Sequence, residues 1–227
     1  MLQYKEIIDL TMPVFTGMSI PPANRENSPK VIVENRIDIN EKGINVSYYQ
    51  QGIHAGTHLD SPLHIIKGGT PIDEVPLEHF MGPGYCIDCT EVKPNKPVTA
   101  AMLDKAAGKI TQKGMIVLLY TGWSDRMFGT DDYWMQSPYL GEDAAQWLVD
   151  KGAKIAGFDF FQDLGAKNSE LHPENFHVHR ILLGNGCLNI EHLVNLGAVV
   201  DTYFDVIALP LRLRGVEGSP SRVIALR

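Results

Sequence analysis

Residues 54–64 read HAGTHLDSPLH, which puts His54, His58, Asp60 and His64 on positions of one parity in a stretch interrupted by Gly56 and Pro62. Imidazoles and carboxylates bind divalent cations through nitrogen and oxygen, and imidazole also moves protons near neutral pH. A helix does not suit the stretch: it would turn Asp60 away from His58, and Gly56, Thr57 and Pro62 all oppose it. As extended chain the four side chains share a face, yet a straight strand would hold the His54 and His58 α-carbons about 13 Å apart. That is too far for one ion bound about 2.1 Å from each imidazole. A bend at Gly56 solves the problem, because glycine takes backbone angles closed to other residues. Bent in this way, His54, His58 and Asp60 converge on one ion and leave a position open for water, the ligand count of a catalytic site. His64 is then placed to carry protons.

The chain has eight histidines, and the other five read differently. His177 precedes His179 by two, about 200° around a helix, and so faces away from whatever His179 faces. His172 lies in a polar loop and is expected to face solvent. His79 and His192 sit beside apolar residues and read as packing histidines with satisfied hydrogen bonds. Asp159, in GFDFF, either orients a ligand from a strand end or forms a buried turn.

The elements that must position these groups are many strands and a few helices. The segments KEIIDL, KVIVENRIDI, INVSYYQQGI, GYCIDCT, MIVLLYTG, AKIAGFDF, AVVDTYFDVIALPL and SRVIALR are rich in β-branched and aromatic residues between turn formers. Helices are predicted over TAAMLDKAAGK behind Thr99, over EDAAQWLVDKG with its exit at Gly152, and over PENFHVHRILLGNG. Loop chemistry is densest at 21–30 and 92–97. The mixture predicts an α/β fold with a mixed sheet. No repeat or linker divides residues 1–227, so one domain is expected.

With 227 residues, 44% of them hydrophobic, and no long apolar run, the sequence predicts a globular protein without a membrane helix. The N-terminus carries Lys5, Glu6 and Asp9 among its apolar residues and reads as mature protein, which points to the cytoplasm. A net charge of −7 with dispersed Lys and Arg excludes a nucleic-acid footprint. Cys86 and Cys89 form a lone C-x-x-C in a strand-like segment, so the cysteines read as buried, reduced thiols rather than a zinc knuckle.

The HAGTHLDSPLH stretch matches in full the pattern H-x-G-T-H-x-D-x-P-x-H and thereby resembles the cyclase-like metal-dependent hydrolase family, which includes bacterial kynurenine formamidase and isatin hydrolase. KGGTPIDEVPLEHFMGPG, LYTGWSDRMFG, PYLGEDAAQWLVDKGAKIAGFD and VHRILLGNGCLNIEHLVNL extend the likeness over most of the chain. The resemblance implies a swivelling β/β/α domain, with a mixed sheet or small barrel flanked by helices. It implies a first ion on His54, His58 and Asp60, a second on Asp60, His179 and Glu191, and His64 as catalytic acid and base. Two zinc ions are implied by the formamidase branch and manganese by the isatin hydrolase branch.

The resemblance further implies hydrolysis of a small aromatic amide, foremost N-formylkynurenine to kynurenine and formate. Ring opening of a cyclic amide or lactone is the alternative. Homodimers or homotetramers are expected, as is an aromatic pocket, for which Phe15, Trp123, Phe158, Phe160 and Phe161 are the candidates. After Asp159 the formamidase branch carries a short Pro-Ser turn, where this chain has Phe160, Phe161, Gln162 and a polar loop to Pro173, so the pocket wall is expected to differ. The contrasting class is a non-catalytic, metal-stabilised small-molecule binding protein. His64 counts against it, because a purely structural site has no use for a proton carrier beside a complete ligand set.

Overall fold

The computed structural model describes residues 4–22, 28–130, 132–167 and 172–227. Its strands are β1 (Ile7–Asp9), β2 (Ile32–Ile37), β3 (Val46–Gln50), β4 (His58–Asp60), β5 (Met81–Asp88), β6 (Pro97–Val98), β7 (Ile116–Tyr120), β8 (Tyr139–Leu140), β9 (Ile155–Phe158), β10 (Leu188–Glu191), β11 (Tyr203–Pro210) and β12 (Gly218–Leu226). The helices are α1 (Ile39–Lys42), α2 (Ala100–Asp104), α3 (Trp123–Met127), α4 (Asp132–Met135), α5 (Glu142–Asp150) and α6 (His177–Gly184).

Seven of these strands close into a barrel in the order β12, β11, β5, β7, β9, β10, β4, with β4 pairing back onto β12 and β1 added outside β12. β5, β7, β9 and β10 run parallel, whereas β4, β11 and β12 run antiparallel to their neighbours. The mixed sheet is therefore a small barrel flanked by helices, as expected.

Strand alternation divides the core into two layers. Leu59, Ile116, Leu118, Ile155, Ile190, Val206 and Val223 belong to one cluster, the barrel interior. Val117, Leu119, Ala156 and Phe158, their neighbours along the same strands, belong to the other and meet Ala144, Ala145, Leu148 and Leu182 of α5 and α6. The barrel is tight: a Cβ on Gly157 would lie 2.4 Å from Leu118 Cδ2. Cys86 and Cys89 fall in different layers, both fully buried and unpaired, and burial pushes the Cys89 thiol up to about 12.

Some local expectations are corrected. The predicted helix behind Thr99 is interrupted after Asp104 and resumes only as a 3-10 turn at Ala107–Lys109, before and within which Ala106, Ala107 and Gly108 supply no polar cap. The strand expected from residue 198 begins at Tyr203, because Leu196–Ala198 form a 3-10 turn and Asp201 takes φ of 53°. β4, expected only as part of a bent extended stretch, and β10, not expected as a strand, are three and four residues long; their outward side chains are buried polar groups rather than apolar ones. β2 and β3 pair with each other apart from the barrel. Residues 23–27 of the predicted 21–30 loop, and 168–171 of the loop leading to Pro173, lie outside the described residues. Among the described residues no helix is long and apolar enough to cross a membrane.

Candidate metal centre

The bend in the motif is where the spacing requires it. Gly56 has φ of +66°, a left-handed conformation that a side chain disfavours, and it swings His54 back over β4. Across β4, Leu59 points into the barrel while His58 and Asp60 point outward and are fully buried. The register pairs Glu191 with His58 and Asn189 with Asp60, so β10 delivers Glu191 to the same outer face. β12 closes the other side, where Gly218 sits opposite Asp60. A Cβ there would lie 2.5 Å from Leu59 O, so only glycine lets the strands approach this closely. His179 comes from the buried side of α6. Pro62–His64 form a 3-10 turn, against which Gly69 of the following loop packs so closely that a Cβ would lie 2.6 Å from Pro62 O.

Asp60 is the centre of the cluster. Its Oδ1 lies 3.0 Å from His54 Nδ1 and 3.4 Å from His58 Nε2, while Oδ2 lies 3.6 Å from His179 Nε2. None of these approaches has hydrogen-bond geometry, which leaves both oxygens as buried acceptors without a donor. His54 Nδ1 and His58 Nε2 are 3.1 Å apart, and His179 Nε2 is 3.1 Å from Glu191 Oε1. These separations are close to the ligand–ligand edge of about 3.4 Å that bonds of about 2.1 Å give in a tetrahedral site.

The other ring nitrogen of each histidine is occupied. His58 Nδ1 donates to Gly56 O at 2.8 Å, His179 Nδ1 to Asp163 Oδ2 at 2.9 Å, and His54 Nε2 lies 3.3 Å from Glu217 Oε1. Such outer partners fix the tautomer and leave the inward nitrogens bare. Bare lone pairs and carboxylate oxygens thus converge in a dry space, and only positive charge relieves their repulsion. The titration behaviour agrees. Burial opposes protonation of His54, yet Asp60 beside it and then Glu217 and Glu191 raise it to about 10. Burial and Asp60 act to raise Glu191, but His179 and His58 hold it down at about 2. His54, Asp60 and His64 form one metal-capable group; Asp60, His179 and Glu191 form another, and His58, Glu191 and His192 a third. The residues fit one or more divalent cations.

His64 is half-buried, its ring 4.3 Å from that of His54 and 5.3 Å from that of His179. Burial pushes its pKa down to about 4, against the pull of Asp60. His177 is exposed, as expected, and His172 pairs with Glu174 at 3.1 Å on the surface. His79 is a packing histidine, its Nε2 bonded to Lys154 O at 2.9 Å. His192 corrects the expectation: its Nε2 is fully buried, has no hydrogen-bond partner, and lies 3.5 Å from Glu191 Oε2. Ile190 and Leu193 suggested a packing role, but His192 turns towards the carboxylate of Glu191, the residue just before it. Asp159 takes the turn-forming role, accepting from Thr121 N, Thr121 Oγ1 and Trp123 N, and burial raises it to about 7.

The aromatic candidates divide. Trp123, Phe158 and Phe160 are buried in the layer between barrel and helices, where Phe158 and Phe160 pack edge to face and Trp123 Nε1 donates to Tyr133 O, so the pocket-lining expectation is corrected for these three. Phe15 is exposed and packs edge-on against Phe128. Phe161 does reach the cluster, its ring lying 6.0 Å from that of His192, next to Trp134. Sequence reasoning missed Asp163, Glu217, Gln162 and Tyr133. Gln162 Nε2 donates to Glu191 Oε1. Only the departure from the family pattern after Asp159 drew attention to that segment.

Comparison with known proteins adds to this geometry. A family model described as "Putative cyclase" matches residues 8–162. The chain is 27% identical over 220 residues to the kynurenine formamidase of Salinibacter ruber, covering 96% of each. A solved structure described as a "predicted metal-dependent hydrolase from Bacillus stearothermophilus" superposes with a TM-score of 0.71 at 28% identity, covering 97% of both chains. An isatin hydrolase bound to the product analogue thioisatinate superposes with a TM-score of 0.82 over 98% of this chain and 92% of the other; at 24% identity this shows the shared fold.

Proposed function

The chain belongs to the Cyclase family, and from that premise we propose that it is a metal-dependent amide hydrolase, an arylformamidase that splits N-formylkynurenine into kynurenine and formate. The observation that carries the metal is Asp60, whose two donorless buried oxygens face different histidines. His54, His58 and Asp60 would hold one ion, and Asp60, His179 and Glu191 a second. We assign zinc to both positions, with manganese as the alternative. Bound there, the ion supplies Lewis acidity to the amide carbonyl and to water.

The chain's own groups do the rest. The His64 imidazole, half-buried beside His54 and His179, is placed to accept a proton from water and return it to the departing amide nitrogen. That return matters because amide nitrogen leaves poorly unless protonated. Asp163, Glu217 and Gly56 O hold the three other imidazoles in fixed orientation, and the Phe161 and Trp134 rings pack against the His192 side of the cluster. The reading carries with it a homodimer or homotetramer and a cytoplasmic location, which three unpaired buried cysteines suit.

The test is hydrolysis of N-formylkynurenine by metal-loaded protein, followed through the absorbance of kynurenine, with a chelator control and isatin alongside. Rapid, chelator-sensitive turnover of the formamide is expected. Turnover of isatin alone would favour ring opening of a cyclic amide, the second reading, with which the replacement of the formamidase branch's Pro-Ser turn by Phe160, Phe161 and Gln162 is consistent.

A further inference from the structure

His192 has a defined proton arrangement that the cluster described so far does not use. Ser124 Oγ donates to Asp159 O at 2.6 Å, so it can only accept from Tyr133 Oη, 3.2 Å away. Tyr133 spends its one proton on Ser124 and therefore accepts from His192 Nδ1 at 3.0 Å. This chain of single donors makes His192 the Nδ1–H tautomer and leaves Nε2 as a bare lone pair. That atom is buried and without a partner, 3.5 Å from Glu191 Oε2, which is itself 3.7 Å from the bare Nε2 of His58. Three acceptors thus lie within 4.8 Å of one another with no proton among them.

The surroundings hold His192 in one place, with its backbone at φ of 57°, a left-handed conformation that histidine adopts more readily than most residues. It is held there by Thr57 Oγ1, which donates to His192 O at 2.6 Å while accepting from Met12 N at 2.8 Å. The ring is fixed by Trp134, 4.9 Å away and nearly perpendicular, and by Phe161.

We propose that His192 is a further metal ligand, so that the divalent cation on His58 draws a donor from His192 Nε2 and Glu191 Oε2 as well as from the His54 side. Glu191 then serves the whole cluster, Oε1 with His179 and Oε2 with His192. The inference rests on the metal reading above and goes beyond the ligands that reading assigns.

Zinc affinity by competition with a chromophoric chelator, and the visible spectrum of the cobalt-substituted protein, test it. His192→Asn is the variant of choice, since asparagine accepts a left-handed backbone. It is expected to weaken zinc about 10- to 100-fold and to change the cobalt spectrum, with the metal-free protein melting near wild type. Tyr133→Phe, which removes the acceptor of Nδ1–H, should shift both readouts the same way by less. Unchanged affinity and spectrum in folded His192→Asn overturn the proposal; should that variant fail to fold, an unchanged Tyr133→Phe overturns it. His58→Ala separates the two levels. Loss of metal there with none in His192→Asn removes His192 and leaves the function standing, whereas full metal in His58→Ala removes both.

Discussion

The half of the cluster built by residues 54–60 and the half built by α6 and β10 present similar donors to Asp60 by different means. In the first half a single left-handed glycine and the alternation of a three-residue strand do most of the positioning, and His58 is oriented by Gly56, two residues away. In the second half His179 and Glu191 stand twelve residues apart on a helix and a strand, and their orienters Asp163 and Gln162 come from the segment after β9. The outer partners also differ in surroundings: the Glu217 side chain is 36% exposed, that of Asp163 only 3%. The first half is positioned mainly by adjacent residues, while the second depends on α6 docking on the barrel in a region where each charge interaction is less screened.

The largest effect should come from removing a ligand of the first ion. His58→Ala is expected to abolish turnover and to lose bound metal, as read by elemental analysis of the purified protein; full metal content in that variant would end the assignment. Chelation of wild type should silence turnover equally while lowering the melting temperature only modestly, in contrast to a structural metal, whose removal melts the fold. His64→Ala comes next, with turnover down about 10²- to 10⁴-fold and metal content intact; an unchanged rate would take His64 out of the mechanism.

The two outer partners then sharpen the comparison directly. Asp163→Asn should weaken zinc about 10- to 100-fold. Glu217→Gln should do so only a few-fold, its carboxylate being half in water. Equal losses in a chelator competition would mean that burial does not separate the halves. Gly56→Ala acts on stability rather than on metal affinity. The added Cβ meets Met18 Cε at 3.4 Å, an ordinary contact, so the loss is the strain of the left-handed backbone, about 1–2 kcal/mol in thermal unfolding.

Much of the first half was legible in the sequence, because ligand spacing, a bend at Gly56 and strand alternation are properties of a few adjacent residues. The parallel strands β5, β7 and β9 and the α5 and α6 helices were legible for the same reason, their apolar character being local, whereas β10 was not. Residues 179 and 191 came only through resemblance, since no rule of spacing joins a helix position to a strand position before the two pack. What tertiary structure alone decided is what surrounds the ligands. Asp163, Glu217 and Tyr133 reach the cluster from remote parts of the chain, and His192 was misjudged from its apolar neighbours in sequence. Trp123, Phe158 and Phe160 went to the core because outward-facing rings on these segments are covered by helices, a fact of layer packing that composition does not reveal. The sequence determined which atoms can bind a cation; the packing of β4, β10 and α6 decided which of them face one another, because only in the folded chain do groups so far apart in sequence meet.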